Sequence, residues 1–179
     1  MAPKGTIYNF EIDLSDNDRS IYEKLKFTVS MHPSENLEYM VTRVLAFCLE
    51  YTEGLTFTKG LDEPDQPALW AYSLDGRLTH WIEVGHPSFD KLHRANKTGA
   101  RVAVYCHKNP AAFLEQVNGK DIYKSDAIEI YSFEARFIKE LLRLGDKRQT
   151  ISLSVSEKQI YLDVAGENLS SEIIRHVLS

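Results

Sequence analysis

The span from residue 77 to residue 107 constrains the fold more than any other part of the chain. Residues 77–85 end in Trp81-Ile82-Glu83-Val84 and read as a strand. Gly85-His86-Pro87-Ser88 stops that strand and caps a helix over 89–98, which Gly99 ends. Residues 101–107, Arg-Val-Ala-Val-Tyr-Cys-His, are rich in β-formers and read as a buried strand. A strand, a helix and a strand in direct succession favour a parallel pair within one sheet. Two further strands precede them, over 55–59 and 68–73, the second joined to 77–85 by Leu74-Asp75-Gly76, a hairpin signal. Between these, residues 62–67 carry Pro64 and Pro67 and read as a loop, because proline removes a ladder donor.

Upstream lies the clearest helix. Leu37, Met40, Val41, Val44, Leu45 and Cys48 recur at the spacing of one buried helical stripe. Ser34 suits its N-cap, Glu35 and Glu38 complement its positive end, and Gly54 closes it. The order helix, strand, strand, strand, helix, strand predicts an α/β (α+β) core with a mixed sheet. Both ends of the chain add hairpins: residues 4–12 with 20–31, where one irregular step suggests a bulge, and 149–155 with 159–164. Helices are expected at 110–118 and 134–144 and a strand at 127–133, while 170–178 reads as strand or helix, with strand preferred. With no repeat, linker or low-complexity tract, the 179 residues read as one domain, its core at about 33–133 and the hairpins at about 4–31 and 149–164 as elaborations.

Charge excludes one class of function. Lysine and arginine total 21 against 26 aspartates and glutamates, a formal charge of -5, so the chain is not a nucleic-acid binder by overall charge. A local basic patch stays open. The longest apolar stretch, residues 39–51, is broken by Arg43 and Glu50, so no membrane span is expected. The N-terminus has no apolar signal-peptide region, and Cys48 and Cys106 form no CxxC pair, which gives a cytoplasmic, reducing address. No GxSxG, GxGxxG or Walker A motif occurs, and the six histidines have no zinc spacing.

Four constellations can carry chemistry. Glu83 shares a strand face with Trp81 and ends that strand, where a carboxylate is either solvated or reaches a cleft as a Mg²⁺ ligand or base. Asp62, Glu63 and Asp65 form an acidic loop that is either solvated or completes a hard-cation site. Glu38 is either a helix-dipole partner or salt-bridge acid, or a carboxylate aimed at the same cleft. Lys91, Arg94 and Lys97, with His93 and Arg101 nearby, make a basic stripe on the 89–98 helix that is either a solvated face or a phosphate contact.

Several separated motifs carry a resemblance. His32-Pro33-Ser34-Glu35, Thr58-Lys59-Gly60-Leu61, Asp65 with Pro67 and Trp70, Trp81-Ile82-Glu83-Val84-Gly85 and Pro87 resemble the YaeQ family of small bacterial proteins, nearly end to end. The resemblance implies a fold related to the PD-(D/E)XK nucleases, the restriction-endonuclease-like class. There a helix carboxylate, a strand aspartate and a (D/E)xK strand surround Mg²⁺ and a scissile phosphate. Glu38 would be the helix carboxylate, Asp65 the aspartate and Glu83 the strand acid, with Mg²⁺ on Asp65 and Glu83. The lysine is missing from its usual place, which is Gly85, and Lys91 or Arg94 would replace it from the following helix. Ala68 stands where a second-strand acid is wanted. Two functions follow from the resemblance. One is a Mg²⁺-dependent phosphodiesterase, a hydrolase acting on nucleic acid. The other is a non-catalytic module binding nucleic acid or a protein, linked to transcription. A small-molecule enzyme using the same carboxylates is a third class, for which no motif speaks.

Overall fold

The computed structural model describes residues 5–59 and 63–178. Asp62, and the Gly60-Leu61 of the Thr58 motif, lie outside the described residues, as does the Lys4 start of the first expected strand. The chain divides into two compact units. One comprises the described residues up to Met40 together with Phe133–Ile174, the other Val41–Ser132 with the described residues from Arg175 onward.

In the first unit, β1 (Thr6–Asp16), β2 (Ile21–Met31), β8 (Arg148–Ser156), β9 (Gln159–Val164) and β10 (Glu167–Glu172) form a mixed sheet in the order β10-β9-β8-β1-β2. The terminal hairpins thus join each other, through a parallel β1–β8 pairing that sets Ile12 beside Ile151. Alternation decides the faces: Phe10, Ile12, Leu14, Leu25, Val29, Ile151, Leu153 and Val155 are buried while their neighbours are polar. Helix α4 (Ala135–Arg143) buries Phe137, Ile138 and Leu141, and Arg143 reaches Glu167 of β10 at 2.6 Å. At the β8–β9 turn, Glu157 and Lys158 both take left-handed backbone, at φ 51° and 60°. Their N–H groups donate to the carboxylate of Asp18 at 2.7 and 2.9 Å, which holds a turn that non-glycine residues adopt at a cost.

Two local expectations are corrected in this unit. The β1–β2 register runs unbroken from Thr6 opposite Met31 to Asp16 opposite Ile21, so β2 carries no bulge. Tyr22 broke the pattern because it points outward, 61% exposed, and its hydroxyl donates to Asn17. Ser34 is not the N-cap of α1 (Leu37–Leu49): Asn36 is, its Oδ1 accepting the N–H of Tyr39 at 2.7 Å. Ser34 instead turns back on His32, whose Nδ1 accepts its backbone N–H at 3.1 Å.

The second unit holds the strand–helix–strand core. Strands β3 (Leu55–Phe57), β4 (Leu69–Tyr72), β5 (Leu78–Val84), β6 (Arg101–Cys106), β7 (Glu129–Ser132) and β11 (Ile174–His176, its first residue counted with the first unit) form a second mixed sheet, ordered β11-β7-β6-β5-β4-β3. β3, β4 and β5 are antiparallel, whereas β5, β6 and β7 are parallel, with Trp81 beside Val102 and Glu83 beside Val104. The irregularity falls here, between Ala71 and Tyr72. Helix α2 (Phe89–Lys97) starts from Ser88, whose hydroxyl accepts the Lys91 N–H, and lays Leu92 and Ala95 on Val102, Val104 and Cys106. Helix α3 (Ala111–Val117) adds Phe113 and Val117 to the same core. The expected strand at 170–178 is realised as the end of β10 and then β11. β11 is tied to β7 by a 2.8 Å contact between Ser132 Oγ and His176 Nε2 and by Arg175 near Glu129.

Candidate functional site

Pleating puts Trp81 and Glu83 of β5 on one face of the second sheet, with Val102 and Val104 of β6 beside them and α2 over that face. Glu83 is 3% exposed. Trp81 Nε1–H donates to its Oε1 at 2.8 Å, and Lys91 Nζ, one turn into α2, lies 3.4 Å from its Oε2. Burial pushes the carboxyl above its ordinary range, against the opposing pull of Lys91, the Trp81 hydrogen bond and the charge of Arg94. Lys91 is itself mostly covered, its side chain 20% exposed.

Strand β5 ends at Val84 because Gly85 takes left-handed backbone, φ 92°, while its N–H donates to Tyr105 O at 2.9 Å. A lysine at this position would pay the conformational cost of a side chain in that region. Backbone conformation rather than space thus disfavours a cation two residues after Glu83, and α2 brings Lys91 to it instead.

Asp65 lies in the loop before β4. Thr58 holds that loop, its hydroxyl donating to Pro67 O at 2.5 Å, and Lys59 pairs with Glu63 at 3.7 Å. Asp65 Oδ1 accepts from Arg94 Nη1 at 3.3 Å, both side chains being open to solvent. Arg94 thus links two of the expected groups: it pairs with Asp65, and its charge is felt at Glu83. Ala68 is buried, 1% exposed, immediately before β4. Glu38 stands in the first turn of α1, within the first unit. Among the described residues, no three His, Cys, Asp or Glu side chains gather as a metal-binding group.

The basic stripe divides. Lys91 turns in to Glu83 and Arg94 to Asp65, Lys97 stays exposed, and Arg101 leaves the stripe altogether. Its Nε and Nη2 donate to the two oxygens of Glu50 at 2.9 Å each, and its Nη1 pairs with Glu129. The buried Tyr105 hydroxyl completes this cluster, donating to Glu50 Oε1 at 2.7 Å. Sequence reasoning saw Glu50 as a break in an apolar run and missed this network. The available signal was the charge itself, since a buried acid needs a partner.

One consequence is spectroscopic. Because the Trp81 indole donates to Glu83, protonating that carboxyl weakens a charged acceptor. Tryptophan emission is expected to show a pH transition above the ordinary glutamate range, absent in Glu83→Gln. A transition that persists unchanged in the variant would detach it from Glu83.

The YaeQ protein family model matches residues 1–173. An uncharacterised YaeQ of Salmonella typhi is 27% identical over 175 residues, covering 97% of this chain and 96% of that protein. Its Escherichia coli K12 counterpart is 28% identical over 170 residues, 94% of each chain. The crystal structure of the YaeQ protein from Pseudomonas syringae superposes with a TM-score of 0.88 at 29% identity, covering 98% of this chain and 97% of that one. That from Xanthomonas axonopodis pv. citri, at 20% identity and a TM-score of 0.82 over 98% and 99% of the two chains, shares the fold. Among the described residues no helix is long and apolar enough to cross a membrane.

Proposed function

The chain belongs to the YaeQ family, and we propose that its Glu83–Lys91 centre acts on the phosphodiester of a nucleic acid, as a Mg²⁺-dependent phosphodiesterase on a variant PD-(D/E)XK fold. One observation carries this reading: Lys91 reaches Glu83 at 3.4 Å from the helix that follows the strand. In the (D/E)xK arrangement the lysine sits two residues after the acid on the same strand, and here that residue is the left-handed Gly85. A lysine from α2 restores the pair by another route. The element order α1, β3, β4, β5, α2, β6 supports the reading, being the order that such a core needs.

The donor set fits a hard cation in its chemistry. Glu83 and Asp65 would hold Mg²⁺, which commonly takes one or two carboxylates and draws its remaining oxygens from water and phosphate. When bound it would supply Lewis acidity toward the phosphate and charge compensation for Glu83. Glu83 is held in orientation by Trp81. Lys91 opposes the rise that burial imposes on the carboxyl and meets negative charge developing on the phosphate. Arg94 cannot readily lose its proton, so it binds a phosphate oxygen rather than acting as a base.

Cleavage of labelled DNA and RNA in Mg²⁺ is the test. Glu83→Gln, which keeps an oxygen for Trp81, and Lys91→Ala are each expected to lower the rate at least about a hundredfold. Cleavage unaffected by Glu83→Gln would sink the assignment. A second reading, a non-catalytic module, is favoured by the engagement of Asp65 with Arg94. It predicts nucleic-acid binding that falls steeply with salt, without cleavage by the wild type.

A further inference from the structure

We propose that the turn at Tyr123–Lys124, clamped onto α2, is a stacking platform for a base of single-stranded nucleic acid whose phosphates follow the exposed side of α2. The inference rests on the phosphodiester reading and names its substrate class. Asn96 is buried on the inner side of α2, 7% exposed. Its side-chain amide donates both hydrogens to the turn, to Tyr123 O at 2.6 Å and Lys124 O at 2.7 Å. His93 Nδ1 accepts the Tyr123 N–H at 3.1 Å. All three bonds go to backbone atoms, so they fix the turn whatever side chains it carries. They hold Lys124 in left-handed backbone, φ 48°, a conformation that a lysine adopts only when its surroundings impose it.

The side chains so placed are left to solvent. Tyr123 is 45% exposed, and Lys124 Nζ lies 5.4 Å from its ring centroid. Packing does not account for this tyrosine, because the core beneath the turn is filled by Ile122 and Ile128. The lysine cation sits over one face of the ring, and an aromatic on a rigid mount with its other face offered to a base is what sequence-tolerant binding of single strands uses. Lys97 follows His93 by one helical turn and so shares its side of α2, and Lys120 precedes Tyr123 by three residues; both are exposed. Asp121 and Asp126 flank the turn, so the surface is not a uniform positive patch. Stacking on Tyr123 therefore carries the affinity, while the lysines compensate phosphate. A duplex offers no free base face and is the poorer ligand.

The test is fluorescence anisotropy of short labelled oligonucleotides, single-stranded and duplex, with the full chain over a range of salt. The wild type is expected to prefer the single strand. Tyr123→Ala should weaken single-strand binding about tenfold, and Tyr123→Phe, which keeps the ring, should not. Lys124→Ala should make the salt dependence shallower by about one phosphate contact, roughly 0.7 in the log–log slope. Tyr123→Ala binding single strands as well as the wild type overturns the platform and leaves the phosphodiester reading standing. So does a wild type that prefers duplex. A wild type that binds neither ligand at low salt, with or without Mg²⁺, overturns both and leaves a protein partner for this face.

Discussion

Replacing Arg101 with methionine is expected to cost about 3 kcal/mol and to lower the thermal midpoint by about 9 °C. The reason lies in what the substitution leaves behind. Glu50 has a side chain only 5% exposed, and it uses both oxygens on Arg101 and one also on Tyr105. Without the guanidinium the carboxylate stays buried with a single phenol as donor, and removing one member of a buried ion pair typically costs about 3–5 kcal/mol. The lower end applies, because Arg101 itself is 39% exposed and water can enter. The hydrogen bond to Glu50 holds the guanidinium proton more firmly than usual, and burial beside Glu50 holds the Tyr105 phenol well above its ordinary range. Tyr105→Phe removes one donor and keeps the ion pair, so it should cost about 1 kcal/mol. Thermal or urea melts of the two variants check the ranking. Arg101→Met melting together with the wild type would show that the network holds nothing.

That network marks where sequence reading stops. The β5–α2–β6 passage was legible because three rules agreed within a short span: the pattern of β-formers, the Gly-His-Pro-Ser stop and cap, and the parallel pairing that a strand–helix–strand passage favours. Glu83 could be singled out because strand period placed it beside Trp81 and away from Ile82. Its partner was harder. Lys91 and Arg94 are three apart on one helix, and only the tertiary placement of α2 decides that the first turns in to Glu83 and the second to Asp65. The Glu50–Arg101–Glu129 cluster joins residues from a helix end and two strands, a contact that no local pattern contains. The missed N-cap has the same root in miniature. Serine and asparagine both cap well, and His32 diverted Ser34 into a turn of its own. In the first unit, both hairpins were legible from alternation, but their parallel union through β1 and β8 was not. That union depends on chain ends far apart in sequence.

Lys91→Met is expected to produce a stability loss of about 3 kcal/mol near neutral pH that disappears on acidification. Glu83 already sits above its ordinary range because burial penalises its charge, and Lys91 is the largest of the forces that oppose the rise. Taking Lys91 away raises the folded-state value further. The sign follows from proton counting. Between the unfolded and folded values the native state holds more protons than the unfolded chain, so stability falls as pH increases through that interval. The contribution of a neutral Glu83 is therefore complete below the ordinary glutamate range and is lost as pH rises through the folded value. In the wild type Lys91 narrows that interval; in Lys91→Met it widens, and the deficit grows toward neutral pH. The Glu83→Gln, Lys91→Met double variant removes the buried charge with its partner and is expected to recover most of the loss. Glu83→Gln alone should melt close to the wild type at neutral pH: it ends the cost of burying a carboxylate and keeps the acceptor for Trp81, and against that Lys91 loses its ion partner. Melts of the four proteins from acid to neutral pH form a double-mutant cycle whose coupling should vanish at the acid end. A coupling that persists unchanged in acid would mean that Lys91 supports the fold through its aliphatic stem rather than through the Glu83 charge. A buried carboxylate that an amide replaces without loss of stability is one the fold does not need, which is the pattern expected where function rather than stability holds Glu83.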